Sequence, residues 1–130
     1  MSDHSDDADV ECTIPVLPVS DLAASVGFYT KAMGFKLDWG DIHHGHVCSV
    51  SRDGCSIMLM KCSSPASPAW VWIGLKDESL FQQFRSNGAK ALQEPKNFSW
   101  AYEMKFEDID GNILWIGTEP RKHEPCEDKT

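Results

Sequence analysis

The sequence predicts an α+β domain in which one strand–helix–three-strand unit occurs twice. Three observations predict it. Asp21 to Gly34 and Asp77 to Gly88 share a layout: an aspartate cap, an apolar stripe at helical spacing and a glycine stop. Each is followed by short strand-like segments that turn at an Asp-Gly pair, Asp53-Gly54 and Asp110-Gly111. Each half is too short to bury a core of its own, so the two are expected to pair around a shared cleft.

The elements follow in order. Thr13 to Val19 is apolar but holds Pro15 and Pro18, which places it at a sheet edge or bulge. Asp21 is a good N-cap, and Leu22, Val26, Tyr29 and Met33 recur at helical spacing until Gly34. Phe35 to Trp39 alternates apolar and polar residues, as a half-buried strand does. His46 to Ser51 and Cys55 to Met60 form a hairpin around Arg52-Asp53-Gly54. Pro65 and Pro68 mark a linker. In the second half, Trp70 to Leu75 is a strand, Asp77 a cap, and Leu80, Phe81 and Phe84 a helical stripe closed by Gly88. Weaker strands follow at Ala91 to Gln93 and Ala101 to Phe106, and Asn112 to Ile116 is the last. Residues 1–11 read as a disordered acidic tail, 12–64 as the first module, 69–120 as the second and 121–130 as a polar C-terminal tail.

Composition bounds the function. With 130 residues, 42% hydrophobic and 25% charged, the chain is one globular domain. No apolar run is long enough for a membrane span, and residues 1–9 resemble neither a signal nor a basic transit peptide. A cytoplasmic protein is expected. The net charge is −8, with Asp3, Asp6, Asp7, Asp9 and Glu11 gathered in the tail. A chain without a basic stripe has little to hold a phosphate backbone, so no nucleic-acid partner is expected. The five cysteines are odd in number and form no C-x-x-C pair, which speaks against a zinc ribbon or a thioredoxin-type couple.

The segment from Ile14 to Phe35 resembles the opening of the glyoxalase/bleomycin-resistance/extradiol-dioxygenase superfamily. Its pattern is carried by Asp21, Leu22, Ser25, Phe28, Tyr29, Gly34 and Phe35. The segment from Phe106 to Gly117 is similar to the same family's turn, with Ile109 where proline is usual. The resemblance spans about Cys12 to Pro120. It implies two βαβββ modules forming a cupped mixed sheet with helices outside. In the family's enzymes it also implies a divalent metal held by His or Glu at four positions. Those positions fall on Ile14, near Met60, on Trp70 and on Trp115. None offers an imidazole or a carboxylate, so no metal and no other cofactor is expected.

Strand alternation describes what the cup would hold instead. Val71, Ile73 and Leu75 suit the helix side, leaving Trp70 and Trp72 on the cup side. Trp115 lies opposite in parity to Leu114 and Ile116, and Met58 and Met60 share a face opposite Ile57 and Leu59. Met104 and Phe106 suit the core, which leaves Glu103 and Lys105 for the cup, with Trp39 and Trp100 at its rim. The candidate ligand-binding set is therefore Met58, Met60, Trp70, Trp72, Glu103 and Trp115. Tryptophan faces stack on flat or cationic molecules, and Glu103 would counter a positive group. Alternatively the tryptophans fill the cup, and Glu103 pairs with Lys105.

One other run carries chemistry. His43, His44, His46 and Cys48 lie within six residues and would suit a soft metal, or serve as an exposed loop. His46 and Cys48 share a strand face, which would let one of them reach the cup. No base can be assigned to Cys48 or Cys62 as nucleophile, and no catalytic residue is assigned. The leading function is metal-independent small-molecule binding by a homodimer, as in the bleomycin-resistance branch that the sequence resembles. A superfamily enzyme is the alternative: a lyase, isomerase or dioxygenase with an atypical metal site at His46, Cys48 and Glu103, or with Glu103 as base. A partner-binding module with a full cup is the third reading.

Overall fold

The computed structural model describes residues 8–63 and 67–129. Residues 1–7 of the expected acidic tail lie outside that range, and Ala8 to Glu11 are exposed and irregular. The first module comprises β1 (Val16–Val19), α1 (Leu22–Lys31), β2 (Lys36–Trp39), β3 (Val47–Arg52) and β4 (Cys55–Lys61). The second comprises β5 (Trp70–Gly74), α2 (Ser79–Ser86), β6 (Lys90–Asn97), β7 (Tyr102–Glu107) and β8 (Ile113–Thr118). They make two open, four-stranded mixed sheets, ordered β1-β4-β3-β2 and β5-β8-β7-β6. In each, the first strand runs parallel to the last and the other pairs are antiparallel. This is the α+β arrangement of two βαβββ modules.

Local chemistry explains most boundaries. Asp21 caps α1 by accepting a 3.0 Å hydrogen bond from the Ala24 N–H. Gly34 takes a φ of 73° just past the helix, where any side chain would be strained. Asp53 (φ 52°) and Gly54 (φ 79°) both adopt left-handed backbone, as a two-residue hairpin turn requires.

The second module departs from the expected pattern in two places. α2 begins one residue later than an Asp77 cap would give. Glu78 stands at the N-cap without a capping bond from its side chain, which pairs with Arg121, and Asp77 instead accepts from the Ser79 N–H at 2.9 Å. β6, expected over Ala91 to Gln93, runs on through Pro95 to Asn97. Proline is tolerated there because β6 is an edge strand, and the register shifts on both sides of Gln93 absorb the irregularity.

A single apolar cluster joins the modules. Leu17, Tyr29, Val50 and Leu59 from the first share it with Phe84, Phe106, Leu114 and Ile116 from the second, and Val71, Ile73 and Leu75 pack against it. Polar bonds at the junction are buried with it. The Tyr29 hydroxyl donates to Asp108 at 2.7 Å. The Asn112 amide donates to Asp108 and to the Pro18 carbonyl, both at 2.9 Å. The Asp-Gly-Asn turn thus clamps β1 and α1 to the β7–β8 hairpin.

The polar C-terminal residues lie against the domain. Buried Asn97 donates to the carbonyl of Arg121 at 3.0 Å and accepts from its N–H at 2.8 Å. Ser99 binds Asp128 through both its N–H and its hydroxyl, and Glu127–Lys129 makes a short 3₁₀ turn. No helix among the described residues is long and apolar enough to cross a membrane.

Candidate functional site

Each sheet turns one face to the core and leaves the other open. On β5 the alternation that sends Val71 and Ile73 inward sends Trp70 and Trp72 outward, 59% and 47% exposed. Trp115 stands opposite Trp72 in register on β8. The three rings meet edge to face, Trp70–Trp115 at 6.3 Å and Trp72–Trp115 at 5.1 Å between centroids. This is a favoured geometry for aromatic pairs. The Trp115 indole nitrogen is buried with no hydrogen-bond partner among the described residues. Gly117 makes the arrangement possible, because a Cβ there would come within 2.5 Å of the Trp72 ring. A glycine inside a strand was the available sequence signal for that close approach.

The charged groups sit beside the rings. Glu103 is 1% exposed. One of its oxygens accepts from the Trp100 indole N–H at 2.6 Å. The other accepts from the Gln93 amide at 3.2 Å and lies 3.4 Å from the Lys105 ammonium. Lys105 also donates to the Gln93 carbonyl oxygen at 2.8 Å and sits 5.6 Å from the Trp115 centroid and 6.0 Å from that of Trp70. Trp100 itself stacks on Phe98 at 4.8 Å. Gln93, which sequence reasoning did not single out, is the hinge of this network. Its pairing opposite Lys105 was hidden by the two bulges.

Trp70, Trp72, Trp115 and Glu103 are therefore brought together on the second sheet. Met58 and Met60 share the open face of the first, opposite Ser49 and Val47 in register. Ser51 and Ser49 on that face donate to Asp38 at 2.8 and 3.4 Å. A cleft of about 430 Å³ runs between the modules and includes Ile14, Phe35, Ile57, Val71, Trp72 and Ile73 in its wall. Trp72 thus belongs both to the tryptophan cluster and to this cleft.

The histidine run has a different environment. Asp41 accepts from the backbone N–H groups of His43 and His44, which hold its carboxyl below the usual range, His44 first. Cys48 lies in the core beside Val50, fully buried, and burial pushes its thiol up. The expectation that one of His46 and Cys48 reaches the cup is corrected for Cys48: on β3 the open face belongs to Val47 and Ser49. Among the described residues, no group of three or more His, Cys, Asp or Glu side chains is placed to hold a metal ion. Ile14, Met60, Trp70 and Trp115 offer no donor suited to one.

Paired βαβββ modules with an open, aromatic sheet face define a class of domain. The chain belongs to the Glyoxalase/Bleomycin resistance protein/Dioxygenase superfamily, whose family model matches residues 12–116. Among solved structures it is similar to TnmS3, an antibiotic-binding protein from Streptomyces sp. CB03234. The identity is 24%, with 89% of this chain and 99% of that chain covered and a TM-score of 0.72. It is also similar to the bleomycin-binding protein of Streptomyces verticillus complexed with copper(II)-bleomycin, at 20% identity, 85% and 98% coverage and a TM-score of 0.73. TioX from Micromonospora sp. ML1 matches at 16% identity, 85% and 99% coverage and the same TM-score. At these identities the likeness is one of fold. No curated protein matches the chain.

Proposed function

We propose that this protein sequesters a flat, aromatic small molecule against the tryptophan face, without a metal, as a cytoplasmic homodimer. The observation that carries the reading is the set of three tryptophans meeting edge to face on an open sheet surface. Two of them expose about half their area, which no need of the core explains. Stacking on such rings favours any planar ligand. The antibiotic-binding relatives support binding as the activity. Met58 and Met60, on the first sheet's open face, would line the opposite wall if a second copy brings the two faces together. Exposed Val16, Met60, Trp70 and Trp72 make covered faces the favourable state. A cationic group on the ligand would reach Glu103 only by displacing Trp100, Gln93 or Lys105.

The test is tryptophan quenching by N-phenyl-1-naphthylamine, a neutral flat aromatic. Trp115→Ala should weaken binding about tenfold, the loss of roughly 1.4 kcal/mol of ring contact, while the protein still melts cooperatively. Equal affinity in the folded variant would remove the tryptophan face as the site. Sedimentation equilibrium checks the dimer, and a single-chain mass at all concentrations would exclude it.

A further inference from the structure

The ligand's charge can be read from the network beside the rings. Strand β7 puts Glu103 and Lys105 on the open face, with Lys105 opposite Trp115 on β8 and Gln93 on β6. Glu103 is buried, and both of its oxygens already accept bonds, from Trp100 and from Gln93, with Lys105 close by. The Lys105 side chain is 23% exposed. Its ammonium has three N–H groups. One goes to Gln93 and a second leans to Glu103 at 3.4 Å, which among the described residues leaves one donor free beside the Trp70 and Trp115 rings.

A flat molecule laid on Trp70 and Trp115 takes water away from that donor. If the molecule carries no acceptor, a charged N–H is desolvated without replacement, which opposes binding. If it carries an acidic group at its edge, the lost water is replaced by a short, charge-assisted hydrogen bond. The chain's net charge of −8 works against anions at long range, so this preference has to come from the contact itself. Lys96, opposite Glu103 in register and exposed, adds positive charge to the same strand region.

We infer that the ligand of this face is a planar aromatic acid, with a carboxylate, phosphate or sulfonate group that pairs with Lys105. The inference rests on the tryptophan face being the binding site, and it adds the ligand's charge and the residue that selects it.

The experiment compares two dyes that differ by one acidic group, 8-anilino-1-naphthalenesulfonate and N-phenyl-1-naphthylamine, by fluorescence titration of the native protein. The wild type should bind the sulfonate at least tenfold more tightly than the neutral dye. Lys105→Met should abolish that preference, weakening the sulfonate and tightening the neutral dye by removing the desolvated charge, and Lys105→Arg should keep it. Glu103→Gln, which retains an acceptor for Trp100 but removes the opposing charge, should tighten sulfonate binding a few-fold. Displacement by 1-naphthoate or by 1-naphthyl phosphate then tells which acid fits better. No preference in the wild type, a preference that survives Lys105→Met, displacement by neither acid, or weaker sulfonate binding in Glu103→Gln overturns the inference. The first of these needs no variant to fold. Failure of both dyes to quench the tryptophans would instead remove the binding site itself.

Discussion

The two sheets have the same strand order and pairing, and their inner faces are alike in chemistry. Leu17, Val50, Ile57 and Leu59 line one, and Met104, Phe106, Leu114 and Ile116 the other. Their open faces differ. The first carries Ser49 and Ser51 hydrogen-bonded to Asp38, with Met58 and Met60 beside them. The second carries three tryptophans and the Glu103–Lys105–Gln93 network. The inner faces are held to aliphatic and aromatic residues because both feed one dry core, where polar groups would lose water without return. The open faces have no such constraint, so function can be written on one repeat and not on the other.

That comparison can be broken most strongly in the core. Leu59→Ala and Leu114→Ala, both fully buried on central strands, should each cost about 2–5 kcal/mol in denaturant unfolding. Each should unfold the chain in one transition. Two separate transitions would show that the modules do not share a core.

A smaller effect is expected at the junction. Tyr29→Phe removes the bond to Asp108 and should cost about 1.5–3 kcal/mol. Burial first, then Asp108, pushes the Tyr29 hydroxyl well above its ordinary value. An unfolded tyrosine ionises near pH 10 and the folded one does not, so the wild type should lose stability as pH rises through about 10. The variant should lose less over that interval. Parallel alkaline unfolding curves for the two proteins would show that Tyr29 contributes nothing to the loss.

The smallest effect sharpens the contrast between the open faces. Met58→Ala, on the last strand of the first module, should change N-phenyl-1-naphthylamine binding less than about threefold, where Trp115→Ala changes it about tenfold. Equal losses from both would mean that the two sheets contribute alike to one cup.

Much of this was legible from residues alone. The Asp21 cap, the Gly34 stop and the Asp53-Gly54 turn were readable because each rests on bonds and backbone angles within a few residues. The outward parity of Trp70 and Trp72, and of Met58 between buried Ile57 and Leu59, followed from strand alternation. The length of β6 was not legible, since Pro95 and two bulges break the alternation that marks a strand. Nor was the depth of Glu103, because Trp100 and Gln93 reach it from elements whose register the sequence does not display. The facing of Cys48 was not legible because His46, Cys48 and Val50 on one side of the strand, and Val47, Ser49 and Ser51 on the other, both mix polar and apolar residues, and only the pairing with β4 decides which side is inward.

What the sequence by itself determined is the repeat and the side of each strand that is apolar. These depend on residue type and on periods of 2 and 3.6, which are properties of a single segment. Only the tertiary structure decided that the charge left available beside the tryptophans is the Lys105 ammonium and not the Glu103 carboxylate. That choice depends on which groups from β6, β7, β8 and the Phe98–Trp100 turn satisfy one another first, and hydrogen bonds between strands are a property of register.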